Sequence, residues 1–244
     1  MRTGIIDIGN TALKAGIFED RRIVDFSFSP KIETFHNFFR GIDEMMVASV
    51  AGISKEVRDE VRSLPLSDDR VIFWDKYNPN IRLPFRCERT ETVGIDRLAL
   101  AAGAVALYPE SNVLCIALGT CVTYNLITSD GVFLPEAISL GLSARLRAMH
   151  REAPALPLIE LSAKDTSFAT DTTENMLHGS LYGLWYEILG YIEQHGKQRE
   201  NLITIITGGD LVYYEKYVSK SLRIFAIPNL VLKGLDEILQ HNKK

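Results

Sequence analysis

Cysteine is scarce in this chain. Cys87, Cys115 and Cys121 are the only three in 244 residues, and their irregular spacing excludes a disulfide framework or a zinc site built on paired cysteines. They read as structural or incidental. Basic residues are also few, with 27 Lys and Arg against 31 Asp and Glu for a formal net charge of -4. With no long basic block, the balance argues against nucleic acid as a partner and for small molecules or proteins. No stretch reaches the roughly 18 uninterrupted apolar residues a membrane helix requires, so no membrane partner is expected. Between Met1 and Asp7 there is no room for the apolar core of a signal peptide, which makes the cytoplasm the expected compartment. His36, His178, His195 and His241 show no metal spacing, and His150 reads as a cation closing a helix. A Walker-type glycine loop, a dinucleotide fingerprint, a Gly-x-Ser-x-Gly elbow and a cysteine-histidine pair are all missing. What remains is an ordinary globular balance, 46% hydrophobic and 24% charged, sufficient for one large domain or two small ones.

Against these absences stands a repeated device. Ile6-Asp7-Ile8-Gly9-Asn10-Thr11 leads into Ala12 to Phe18, a polar turn from Glu19 to Arg22, and Ile23 to Phe28. Ile116-Ala117-Leu118-Gly119-Thr120 leads into Cys121 to Ile127, a turn from Thr128 to Gly131, and Val132 to Ile138. Each copy reads as a buried strand, a tight turn of small and hydroxyl residues, a second strand, a polar turn and a third strand. Gly-Thr and Gly-Asn-Thr turns let backbone N–H groups approach an anion closely, so two of them from similar domains would clamp a polyphosphate. Two residues before the glycine, the first copy carries Asp7, where a carboxylate can hold Mg²⁺ against phosphates. The second copy carries Ala117 there.

The halves continue alike. Helix patterns at Ile32 to Arg40 and Lys55 to Arg62, with strands at Met45 to Val50 and Val71 to Trp74, give a βββαβαβ order in which helices cover a mixed sheet. Asp75 to Thr92, with Pro79 and Pro84, reads as a long connection. Arg97 to Tyr108 is a helix whose small-residue face suits close packing and is expected to bridge the halves. The second half adds strands between Asn112 and Ile138, a helix Leu142 to His150 and a long helix from Thr172 to about His195, opened by an Asp171 and Glu174 capping box. Strand Leu202 to Ile206, helix Asp210 to Tyr217, strand Leu222 to Ala226 and helix Leu230 to His241 complete it. The expected domains are 1–110 and 111–244.

Three clusters can carry chemistry. Asp7 interrupts an apolar strand, which is costly unless it is paired, hydrated or bound to metal; a simple turn cap is the alternative. Thr11 and Lys14 offer phosphate contacts, although alternation along the strand puts Lys14 on the face opposite Thr11. Gly94-Ile95-Asp96-Arg97 opens the small-residue helix. There Asp96 can act as a base toward an alcohol and Arg97 can hold a carboxylate, or the pair is only an N-cap and a solvated cation. Thr207-Gly208-Gly209-Asp210 follows a strand, and either admits an adenosine against the backbone or caps a helix.

Taken together and in this order, Asp7-Ile8-Gly9-Asn10-Thr11 with Lys14, Gly94-Ile95-Asp96-Arg97, Gly119-Thr120 with Thr123, and Thr207-Gly208-Gly209 resemble the type III pantothenate kinases over essentially the whole chain. The resemblance implies an α/β fold of two duplicated ribonuclease-H-like domains of the actin and sugar-kinase type, with mixed sheets and a nucleotide cleft between them. It implies ATP-dependent phosphorylation of pantothenate to 4'-phosphopantothenate, the first step of coenzyme A synthesis, by a homodimer using Mg²⁺ and a monovalent cation, K⁺ or NH₄⁺. By position, Asp7 falls to the metal and, with Gly9, Asn10, Thr11 and Lys14, to the phosphates. Asp96 becomes the base, and Gly94, Ile95 and Arg97 join it in binding pantothenate. Gly119, Thr120 and Thr123 form the second phosphate motif, Gly208 and Gly209 approach the nucleotide, and Thr173 reaches the pantothenate site from the partner subunit.

The chain also departs from the family pattern. Ala117 stands where the family usually has aspartate and Asn125 where it has another acid, which implies reduced turnover. Pro135-Glu136-Ala137-Ile138-Ser139-Leu140-Gly141 replaces a Gly-Gly-x-Ile-x-Pro-Gly segment, Cys87 and Thr90 stand for a tyrosine and a proline, and Ala153 for a common threonine. The alternative is a non-catalytic member of the same fold, a nucleotide-binding accessory or regulatory protein. A kinase for a different small molecule is the third reading.

Overall fold

Short apolar runs bounded by polar turns become the strands. In the computed structural model, which describes residues 1–9, 12–28, 31–75, 81–161, 169–218 and 223–243, β1 (Arg2–Ile8), β2 (Leu13–Glu19) and β3 (Arg22–Phe28) form an antiparallel meander. On the other side of β1, β4 (Glu44–Ser49) and β5 (Val71–Trp74) add in parallel, giving the order β3-β2-β1-β4-β5. Every residue of β4 is buried, as a central parallel strand covered on both faces requires. The turn from β2 to β3 holds Asp20 and Arg21 at φ 45° and 69°, the left-handed pair of a type I′ connection. Arg21 keeps that conformation without glycine through ion pairs to Asp236 and Glu237.

The second sheet repeats the first. It contains β6 (Val113–Leu118), β7 (Cys121–Ile127), β8 (Phe133–Leu140), β9 (Ile203–Thr207) and β10 (Ile224–Ala226), in the order β10-β9-β6-β7-β8. The first strand again lies centrally, antiparallel to the second and parallel to the fourth. Duplication therefore extends from the glycine turns to the whole sheet. The chain divides into two compact units, Met1–Pro109 with Gly131–Phe133 and Asn229–Lys244, and Glu110–Asp130 with Leu134–Pro228.

In the first unit, α1 (Phe35–Phe38) and α2 (Lys55–Ser63) cover one face, where Phe35, Phe39, Val57 and Val61 meet Ile6, Ile17, Met45 and Val47. The expected helix from Ile32 to Arg40 is shorter, a 3₁₀ turn and then α1, with Gly41 beyond it at φ 74°. The small-residue helix is α3 (Ile95–Leu107). In the second unit, α4 (Leu142–Glu152) precedes the 27-residue α5 (Thr172–Gln198). The Asp171 carboxylate accepts the Glu174 N–H at 2.8 Å, and Glu174 in turn accepts from the N–H and hydroxyl of Thr170 at 2.8 and 2.7 Å. The expected helix from Asp210 to Tyr217 divides into a 3₁₀ turn, Gly209–Tyr213, and α6 (Glu215–Val218). Its run Leu211-Val212-Tyr213-Tyr214 is rich in β-branched and aromatic residues that weaken an α-helix.

The final helix, α7 (Leu230–His241), corrects the expected boundary: it belongs to the first unit, not with residues 111–228. There it packs on α3, whose small-residue face is thus occupied within that unit. A Cβ on Gly234 would collide with the Ala99 carbonyl, and one on Gly103 would stand 2.8 Å from the Leu230 carbonyl. The Thr3 hydroxyl donates to Asp236 at 2.7 Å and ties α7 to β1. No helix among the described residues is long and apolar enough to cross a membrane.

Candidate active site

Strand alternation decides which side of the first sheet carries the charges. Ile6 faces α1 and α2, so Thr3, Ile5 and Asp7 face the layer of α3 and α7. Asp7 lies at the open end of that layer, directly across from Lys14 on β2 and Ala48 on β4. Asp7 is buried, 7% exposed. Burial pushes its carboxyl up to about 6, Lys14 lowering it and Asp96 raising it further. The site therefore brings Asp7, Lys14 and Asp96 together. Gly9 closes the β1 to β2 turn by donating its N–H to the Ala12 carbonyl at 3.1 Å. Asn10 and Thr11 lie outside the described residues.

At the start of α3 the Asp96 carboxylate folds back. Its Oδ1 accepts the Arg97 N–H at 2.9 Å and would stand 2.5 Å from a Cβ on residue 94. A side chain at position 94 would displace the Asp96 carboxylate from this arrangement. Asp96 is exposed, while Ile95 and Arg97 are half-buried beside it. Burial lowers the Arg97 guanidinium below its ordinary value, and the Asp96 charge acts the other way.

In the second unit three glycines crowd the end of β6. Gly119 donates its N–H to the Cys121 carbonyl at 3.1 Å, the shorter counterpart of the Gly9 turn. Gly141 donates its N–H to the Thr120 carbonyl at 3.1 Å, and a Cβ on it would collide with the Gly119 carbonyl. Gly208, at φ 103°, lies against the Leu118 backbone, where a Cβ would come 2.7 Å from both its nitrogen and its carbonyl carbon. Asp210, beyond the exposed Gly209, accepts the Leu142 N–H; burial raises its carboxyl and that bond lowers it. It therefore caps α4, a different helix from the one it begins. Sequence reasoning missed Gly141 as part of this cluster, since only the backbone collision reveals it. Gly208→Ala is expected to cost about 2 kcal/mol or more through the left-handed φ and the collision. The measure is Tm, and an unchanged Tm would refute the close approach.

Thr123 lies opposite Ala117, as Lys14 lies opposite Asp7. Its hydroxyl accepts from Asn125 Nδ2 at 3.0 Å. Thr173 is exposed in the first turn of α5, and the Gly179 and Gly183 positions on that helix meet nothing within 4 Å of an added Cβ. The second unit thus gathers Gly119, Thr120, Thr123 and Gly208.

These two glycine turns on duplicated sheets, one of them beside an Asp7 and Asp96 pair, match a known family. The family model for type III pantothenate kinases covers residues 5–194. The chain belongs to the type III pantothenate kinase family. Type III pantothenate kinases from Christiangramia forsetii and Flavobacterium psychrophilum are 34% and 33% identical to it, each over 98% of both chains. A ROK family glucokinase from Streptomyces griseus, solved with glucose and AMPPNP, matches 99% of this chain and all of its own at a TM-score of 0.53 and 12% identity, which supports the sugar-kinase fold alone.

In this type III pantothenate kinase family member the second turn carries no charged side chain from Gly119 to Thr123. Glu136 lies 2.6 Å from His195 Nε2, so it is engaged at the end of α5 and does not replace an acid at position 117. Among the described residues no group of three His, Cys, Asp or Glu side chains is placed to hold a metal. A buried carboxylate whose affinity for protons is raised by desolvation suits a hard cation whose remaining ligands are water and phosphate, and Asp7 fits that description.

Proposed function

We propose that this chain phosphorylates pantothenate with ATP, using Asp96 as base, Arg97 as carboxylate ligand and Asp7 as the metal-bearing group. The observation that supports the assignment best is the electrostatic coupling of Asp7 with both Lys14 and Asp96 in one unit. Asp96 holds the Arg97 N–H through Oδ1, which fixes the carboxylate and leaves Oδ2 for the proton of the 4'-hydroxyl. As that proton passes to Oδ2, the hydroxyl oxygen bonds to the γ-phosphorus and the bond from phosphorus to the ADP oxygen breaks. Gly94 and Ile95 shape the acceptor side, and Arg97 supplies a planar fork for the pantothenate carboxylate. Mg²⁺, when bound at Asp7, neutralises phosphate charge. Lys14 adds a point charge beside it, with Gly9, Asn10 and Thr11 as the first phosphate turn. Gly119, Thr120 and Thr123 form the second, and Gly208 and Gly209 lie against the nucleoside.

The reading includes activation by K⁺ or NH₄⁺, the cytoplasm as compartment, and domains of ribonuclease-H type. It also includes a homodimer in which Thr173 serves the partner's acceptor site. The open surface over Gly179 and Gly183 supports close approach of a second helix; a monomeric mass for the active protein would remove the dimer. ADP release in a coupled assay is expected to require pantothenate and Mg²⁺ and to rise with K⁺. ATP binding without pantothenate-dependent ADP release would instead indicate an accessory role.

A further inference from the structure

The ends of the two central strands are built alike but charged differently. Across β1 and β2 the pair is Asp7 and Lys14; across β6 and β7 it is Ala117 and Thr123, with Thr207 on the other flank of Ala117. One step deeper, Asn125 lies opposite Cys115 and is wholly buried. Asn125 Nδ2 donates to the Cys115 carbonyl at 3.3 Å and to Thr123 Oγ1 at 3.0 Å. A carbonyl oxygen only accepts and an amide nitrogen only donates, so the Cys115 bond settles which end of the amide faces Thr123. Thr123 Oγ1 is consequently an acceptor toward the interior. Its own hydrogen must point elsewhere, and no protein acceptor takes it among the described residues. Thr123 and Ala117 are both half-buried, at the open end of the strands. An acid at position 125 would reverse this, drawing the Thr123 hydrogen inward and turning lone pairs outward, the arrangement a cation needs.

We propose that the second glycine turn is an anion site that takes no cation: Asn125 orients Thr123 so that its hydroxyl donates to a phosphate oxygen of the nucleotide. This rests on the nucleotide reading above and deepens it. Cations, the activating K⁺ included, are then left to the unit with Asp7, and the absence of an acid at Ala117 is matched by a neighbour that supplies a hydrogen instead of lone pairs. Asn125 acts through Thr123 and is a positioning residue. Thr123 is the group that touches the ligand.

The test is calorimetric titration of ADP without divalent metal. Thr123→Val is expected to bind ADP about tenfold more weakly, the scale of one hydrogen bond to a charged group. Thr123→Ser, which keeps the hydroxyl, is expected to match the wild type. Asn125→Asp is expected to weaken metal-free ADP by a similar factor and to make its affinity rise more with K⁺ than the wild type's does. Should Asn125→Asp fail to fold, the partly exposed and conservative Thr123 pair decides. Equal ADP affinity for Thr123→Val and wild type would overturn the proposal, as would a folded Asn125→Asp that binds like wild type with no added response to K⁺. Wild-type protein that binds no ADP at all would instead sink the nucleotide reading itself.

Discussion

Asp96→Asn is expected to lower kcat by about 10²- to 10⁴-fold, the contribution of a positioned general base, with ATP affinity unchanged. The substitution is informative because so little else changes. The Asp96 Oδ1 that accepts the Arg97 N–H has a counterpart in the asparagine carbonyl, so the start of α3 keeps its cap. Asp96 is exposed, so the change opens no cavity, and it lessens the charge that raises the Asp7 carboxyl. Rapid-mix kinetics under saturating ATP would separate the chemical step from binding. A fall in ATP affinity with kcat intact would move Asp96 from the acceptor to the metal site.

Asp7→Asn is expected to reduce Mg²⁺-dependent turnover by about 10²-fold or more, the scale of losing one electrostatic stabiliser, and at the same time to make the ligand-free protein more stable. The folded carboxyl titrates near 6 against an ordinary 3.8, chiefly through burial. The folded state thus holds this proton more tightly than the unfolded chain. Its contribution to stability is complete below pH 3.8, declines as pH rises toward 6 and is absent above. Asparagine cannot ionise, so at pH 7 the variant avoids a penalty of at most about 3 kcal/mol. Thermal melts of wild type and variant at pH 4 and pH 7 check this: the Tm difference should open with rising pH. Equal differences at both values would show that Asp7 is not desolvated in solution.

What the sequence revealed follows from the range of the interactions involved. The duplication was legible because strand periodicity and glycine turns are local, and the capping box at Asp171 because three residues specify it. Lys14 was harder. Alternation assigns a face but no partner, whereas the antiparallel register sets Lys14 against Asp7. Asp210 was legible as a cap, but not as the cap of α4, because its partner Leu142 lies far away in sequence. Gly141 was legible only as the final glycine of the segment set against the family's Gly-Gly-x-Ile-x-Pro-Gly. Its reason is the Gly119 carbonyl pressed against it.

The allegiance of α7 bears on how the chain acquires its structure over time. The face of α3 formed by Ala99 and Gly103 is covered by residues around Leu230 and Gly234, more than a hundred positions later. A ribosome delivers residues in order, so the first sheet and α3 emerge long before α7. Until then Thr3 lacks its Asp236 partner and α3 the helix that packs on it. The intervening unit can complete its own sheet in that interval, leaving closure of a long-range contact as the last event and a slow one. The first unit is therefore complete only when nearly the whole chain has been made, since the helix that closes it ends at His241.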